Sequence, residues 1–515
     1  MGSWPVIEKE EDIFTFAPNF DLLKNQNELS HAQLISLLHE LNNASSKFSA
    51  QELEDSYFFP WLTFAMGCAV KLSGMNPNLP TTPFILITSI TQSILNKAPD
   101  VLYTMFDQQI SQGSFKGQSF AYFWMDNYHS LVYSQNDDLS SLHALNIMFH
   151  ELLNVWGAKF CSLLVKNIEE GSEKGKNALL VLLRSYQKSA GEINNLLQTQ
   201  LIAELFHQCM QKEPSLMGAA LTQEITEGLF RGKSSLYLLS CILLKTTSFG
   251  NSDSVTIIQD VMLQALKNHP EQFMNALYKR HALGVYPGLS SFHLILLSLV
   301  EASYKEESSA VIAQLMRILT ELTTYDKSEE TAISALLETI EDGAYQNLNG
   351  FVFLCRALIA AIAHQIDVTS MMDFILDVIK GAPAEQLTTA VFQSAPAHPT
   401  PEYRCSPINH VINLARDMNR PIHQKNAQVI INALAHSQAA SQIHSLLPSD
   451  EQFFFVNETN LKPKSLFRAS SAPILSEVGE SSSNVESSYG STQRLFHSNI
   501  ESASDVVVHF SLRPM

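Results

Sequence analysis

QKEPSLMGAAL (residues 211–221) and KNHPEQFMNAL (267–277) decide how this chain is read. In each, a proline precedes a run of apolar residues at helical spacing. Proline is tolerated at the first helical position, because the N–H it lacks would have no intrahelical partner. The same arrangement occurs in NKAPDVLYTMF (96–106) and KGAPAEQLTTAV (380–391). Pro99, Pro214, Pro270 and Pro383 are separated by 115, 56 and 113 residues, which are two, one and two periods of about 57. Two more copies are predicted: GAKFCSLLVKNI, starting at 157, and DKSEETAISALLETI, near 327, where Ser328 replaces the proline as a cap.

A second mark keeps the same period. GQSFAYFWM (117), GKNALLVLL (175), GKSSLYLLS (232), GLSSFHLIL (288) and GFVFLCRAL (350) each set a glycine before a helical pattern, at spacings of 58, 57, 56 and 62. CSPINHVINLA, from Cys405, and PWLTFAMGCAV, from Pro60, extend the series. Glycine suits the left-handed position that ends one helix and turns the chain into the next. Between the two marks lies a third helix with one apolar face, as in SHAQLISLLHEL (30–41), LHALNIMFHELL (142–153) and INNLLQTQLIAELF (193–206). The unit is therefore helix A (glycine mark), helix B, then helix C (proline mark). Such a unit cannot bury its apolar face alone, so neighbours must stack. The reading predicts an all-α fold, a right-handed α-solenoid of about seven three-helix repeats over residues 30–447. An N-terminal extension spans 1–29 and a disordered serine-rich tail spans 448–515.

Three helices per unit resemble the armadillo and HEAT class of α-solenoids, although the unit is longer and the glycine and proline marks are not that class's consensus. The resemblance is architectural and covers about 30–447. It implies a groove lined by one helix of each unit that binds extended peptides or other proteins.

The chain has 515 residues, of which 33 are Lys or Arg and 51 are Asp or Glu, for a formal net charge of -18. No basic stripe is available to replace the counterions of a phosphate backbone, which argues against nucleic acid. The acidic field favours a basic or extended protein partner. Cys68, Cys161, Cys209, Cys241, Cys355 and Cys405 form no CxxC pair and read as reduced thiols of a cytoplasmic protein. MGSWPVIEKEED lacks an apolar targeting core, and Val6 departs from the myristoylation pattern. The apolar runs 292–300 and 351–363 are too short to span a bilayer.

In the tail, Arg468, Ser471 and Pro473 resemble a site for 14-3-3 proteins, which would bind Ser471 once phosphorylated. Glu477, Glu480 and Glu486 among serines, with Leu512 near the end, give the tail a compositional resemblance to Dot/Icm type IV secreted effectors. That resemblance implies residence in a host cytosol.

Motifs that suggest chemistry fail on spacing. Arg231-Gly232-Lys233-Ser234-Ser235 contains the end of a phosphate loop, but Glu227 stands where its first glycine is needed. His150-Glu151-Leu152-Leu153-Asn154 lacks the second imidazole of a zinc helix, and the segment from His39 fails in the same way. No catalytic residue, metal or cofactor is assigned. His39, His150, His207 and His436 fall at similar places on B helices, which predicts a polar column along a binding groove. The function expected is a non-enzymatic binding scaffold, possible also as a translocated effector. The alternative is an enzyme with its site in the atypical repeat around 142–170, which lacks the proline mark.

Overall fold

The computed structural model describes residues 17–23, 30–75, 81–133, 139–191, 196–225, 231–281, 286–325, 329–396, 398, 401–417 and 420–455. Among them are 23 α-helices and no strand. The A helices are α3 (Phe58–Met75), α6 (Phe120–Tyr133), α9 (Ala178–Ala190), α12 (Ser235–Ser248), α15 (Ser291–Ser303), α18 (Gly350–Ala363) and α21 (Pro407–Arg416). The B helices are α1 (His31–Lys47), α4 (Thr82–Lys97), α7 (Ser140–Trp156), α10 (Leu196–Lys212), α13 (Ser252–Asn268), α16 (Ser309–Tyr325), α19 (Thr369–Gly381) and α22 (Pro421–His436). The C helices are α2 (Ala50–Asp55), α5 (Pro99–Asp107), α8 (Ala158–Val165), α11 (Pro214–Thr222), α14 (Pro270–Tyr278), α17 (Glu329–Leu337), α20 (Ala384–Phe392) and α23 (Ala440–Leu446).

The chain divides into two compact units. One comprises residues 1–280, 290–327 and 364–367; the other comprises 281–289, 328–363 and 368–515. Within the first, each A helix packs on the A helix of the next repeat, from α3 through α15, and each B helix on the next B helix, from α1 through α16. The second unit follows the same rule, with α18 on α21, α19 on α22 and α20 on α23.

Proline starts C helices as expected: Pro99, Pro214 and Pro270 are first helical residues, while Pro383 is the N-cap of α20. The two copies without proline are also helices, α8 after Gly157 and α17 from Glu329. Ser328, the expected cap of α17, lies outside the described residues.

The glycine mark works differently from the sequence expectation. Gly117, Gly175, Gly232 and Gly288 have φ near +80°, but they lie well past the ends of the C helices. Each closes the loop between helix C and helix A. The Gly117 N–H donates to the Ile110 carbonyl, and the Ile110 N–H to the Gln118 carbonyl, each at 2.9 Å. Ile168 with Gly175 and Lys176, Ile225 with Gly232 and Lys233, and Ile340 with Asn347 and Leu348 repeat the pair. The isoleucines are buried plugs. Two residues after the left-handed position comes the cap of helix A. Asn177, Ser234 and Asn349 each accept from the backbone N–H three residues on. In the fifth copy the left-handed residue is Asn347, at φ 66°, not Gly350. Asparagine tolerates that conformation better than most residues, and the shift removes the odd spacing of 62.

Helix A is the centre of each repeat. Twelve of the fourteen residues of α12 are buried, against nine of the seventeen of α10. An all-round apolar helix must be covered on every side. Several of its hydroxyls bond back along the helix, as from Ser240 to the Leu236 carbonyl and from Ser298 to the Leu294 carbonyl. Lysines tie neighbouring repeats together: Lys305 Nζ donates to the last carbonyls of α12, at 2.6 Å from Thr247 O, and Lys97 does the same beyond α1. A cation at a helix C-terminus meets both unpaired carbonyls and the negative end of the dipole.

Candidate functional site

Because the A helices are buried and the C helices are short, the B helices supply the longest exposed polar faces. On α10, Gln200, Glu204, His207, Gln208, Gln211 and Lys212 face outward at helical spacing, while Leu201, Leu205 and Phe206 pack inward. On α7 the matching outward residues are His143, His150, Glu151 and Asn154.

Between α7 and α10 these side chains enclose an open cleft of about 460 Å³, lined by His150, Asn154, Glu204, Gln208, Gln211 and Lys212. His150 Nδ1 donates to Gln208 Oε1 at 2.8 Å, since an amide oxygen can only accept. Gln211 Nε2 donates to His207 Nε2 at 3.2 Å, and Gln200 Nε2 donates to Glu204 Oε1 at 3.0 Å. The wall thus combines three carboxamides, one imidazole, one carboxylate and one ammonium group. Carboxamides carry a donor and an acceptor each, which matches the alternating N–H and C=O groups of a polypeptide backbone.

Of the four sequence-selected histidines, His150 lines this cleft, while His207 lies beside it on α10, bonded to the lining residue Gln211. His39, on α1, is exposed and separated from α7 by α4, which carries no histidine. His436 belongs to the other compact unit. It is exposed at the end of α22, where its Nδ1 donates to the Asn432 carbonyl at 2.7 Å. Ser471, Arg468 and Pro473 lie outside the described residues, as do Glu477, Glu480, Glu486 and Leu512. Glu204, Gln208, Gln211 and Lys212 were not picked out from the sequence. Their signal was there as a polar stripe opposite the apolar one, but which stripe faces a neighbour depends on the stacking.

Two other arrangements look chemical and are closed to substrate. Lys233 is buried, lies over the Tyr237 ring and has its ammonium pulled below the usual lysine range by desolvation. It anchors a loop and offers nothing to a phosphate. His129 Nδ1 is 3.0 Å from Ser185 Oγ, but both residues are buried and the Ser185 hydroxyl also lies 3.0 Å from the Val181 carbonyl, to which it donates. Burial first, then Arg184 and Lys188, hold that imidazole well below its ordinary pKa, so it stays neutral. No helix among the described residues is long and apolar enough to cross a membrane.

No protein-family model matches the chain, and neither a curated protein nor a solved structure matches it.

Proposed function

We propose that this chain is a non-enzymatic protein-binding scaffold whose recognition face is carried by B helices, centred on the α7–α10 cleft. The observation that carries the reading is the wall of that cleft, where Asn154, Gln208 and Gln211 stand beside Glu204 and Lys212. Amide side chains fixed on rigid helices can pair with an extended backbone without selecting its sequence, and Glu204 adds a preference for a basic side chain. The net charge of -18 acts in the same direction at longer range. The armadillo and HEAT resemblance fits this use of one helix per repeat. The serine and glutamate composition of 448–515 supports placing the scaffold among translocated bacterial effectors, with a host protein as the partner and Ser471 as a phosphorylation-dependent 14-3-3 site.

The test compares full-length protein with a His150→Ala/Gln208→Ala/Gln211→Ala variant as immobilised bait in cytosol. Buried interface hydrogen bonds contribute about 1–3 kcal/mol each. Prey bound by the native chain is therefore expected to fall at least about tenfold on the variant, with the melting temperature unchanged. Equal capture by both baits contradicts the proposal.

One observation favours an enzyme as the second reading: one wall of the cleft, with His150 and Asn154, lies on the repeat around 142–170, and His150, Glu204 and Lys212 are groups that move protons. A small-molecule turnover lost in His150→Ala, with protein capture intact, would select it.

A further inference from the structure

Cys161 on α8 and Cys209 on α10 are both fully buried. The Cys161 thiol donates to the Cys209 backbone carbonyl at 3.6 Å, and the two thiols are near enough to shift each other's acidity. They meet where the C helix of one repeat packs against the B helix of the next. At the same position, the fourth of the helix, the other seven C helices carry buried apolar side chains, among them Leu102, Met217, Phe273 and Leu387. A thiol pair therefore replaces an ordinary apolar contact at this joint alone. Cys68, Cys241 and Cys355 are buried in separate A helices, and Cys405 is exposed.

The joint is held by packing. α8 has eight residues, and its N-cap Gly157 sits at φ +52° with no side-chain capping bond. A helix that short, without a cap, is held by packing more than by its own hydrogen bonds.

We propose that Cys161 and Cys209 are an oxidisable dithiol, converted by hydrogen peroxide into an intramolecular disulfide that ties α8 to α10. The Cys161 thiolate attacks one peroxide oxygen, the O–O bond breaks, and the departing hydroxide takes up a proton to leave as water. The Cys209 thiol then attacks the sulfur of the resulting sulfenic acid, the S–S bond forms, and the thiol proton joins the departing hydroxide to leave as a second water. The two sulfurs give up two electrons and peroxide accepts them. The order follows from the local chemistry: the Cys209 thiol beside it lowers the Cys161 thiol, whereas its own neighbour and its burial raise Cys209.

The test uses full-length Cys405→Ser, which removes the exposed thiol. After excess hydrogen peroxide, the protein is alkylated in denaturant and its tryptic peptides are mapped. Two of the five remaining thiols are expected to resist alkylation, with a peptide joining Cys161 to Cys209 that dithiothreitol releases. Amide exchange in α8 should slow at least about tenfold once the bond locks its opening. In Cys209→Ser the reaction stops at the sulfenic acid, so dimedone labels Cys161. Five alkylatable thiols after treatment, a disulfide between any other pair, or a folded Cys209→Ser protein without dimedone label overturns the proposal.

Discussion

Asp126 shows how one residue is set by its surroundings. It is half-buried on α6, and desolvation pushes its carboxyl up to about 6. Arg184 pulls the value back, Glu173 pushes it further up, and Lys176 lowers it. Tyr122 completes the group by donating to Glu173 at 3.0 Å, and Lys176 pairs with the same carboxylate. The folded pKa lies above the ordinary 3.8, so the fold favours the protonated acid. Its contribution is complete below about pH 4 and is lost as pH rises through about 6. Asp126→Asn is neutral at every pH. It should stabilise the protein at pH 7.5 by about 1–2 kcal/mol, allowing for partial exposure, and leave stability unchanged at pH 4. Urea melts at the two pH values check the sign; equal shifts at both would show that titration is not the cause.

At the scale of elements, the loops between helices C and A are stacked backbone to backbone. A Cβ on Gly171 would overlap the Lys116 carbonyl of the preceding loop, and one on Gly117 would lie 2.7 Å from the Glu170 carbonyl. Gly250 has a similar φ of +74° but only Lys305 Nζ nearby, at 3.8 Å. Gly250→Ala therefore incurs the left-handed strain alone, about 1–2 kcal/mol. Gly171→Ala should cost clearly more, because two loops must separate; equal losses in denaturation would remove the stacking argument. The proline and glycine marks made the helix order legible, since both act through local backbone geometry. The role of Gly117 and its equivalents was not legible. A positive φ can end a helix or close a loop, and only the hydrogen bonds of Ile110 and Ile168 distinguish the two. Asn347 was hidden for the same reason: Gly350, three residues on, offered the more obvious letter. The cleft was half legible. His150 stood out by spacing, but Gln208 and Gln211 are ordinary surface residues until the neighbouring helix is in place.

At the scale of the molecule, each compact unit repeats one plan: a largely buried A helix, with B and C helices packed around it. That plan leaves the B and C helices as the exposed faces. The exposed face of α7 and α10 is long and holds the cleft, whereas the outward side of α8 is short and carries Lys159 paired with Asp100 at 3.0 Å. Charged surface pairs of this kind add little to stability or affinity. A photo-crosslinking side chain placed at Gln211, on the B face, or at Lys159, on the C face, separates the two surfaces directly in the full-length protein. Crosslinked partner is predicted at position 211, competed away by unlabelled native protein, and absent at position 159. Crosslinking at 159 alone, or equally at both positions, would contradict the B face as the recognition surface.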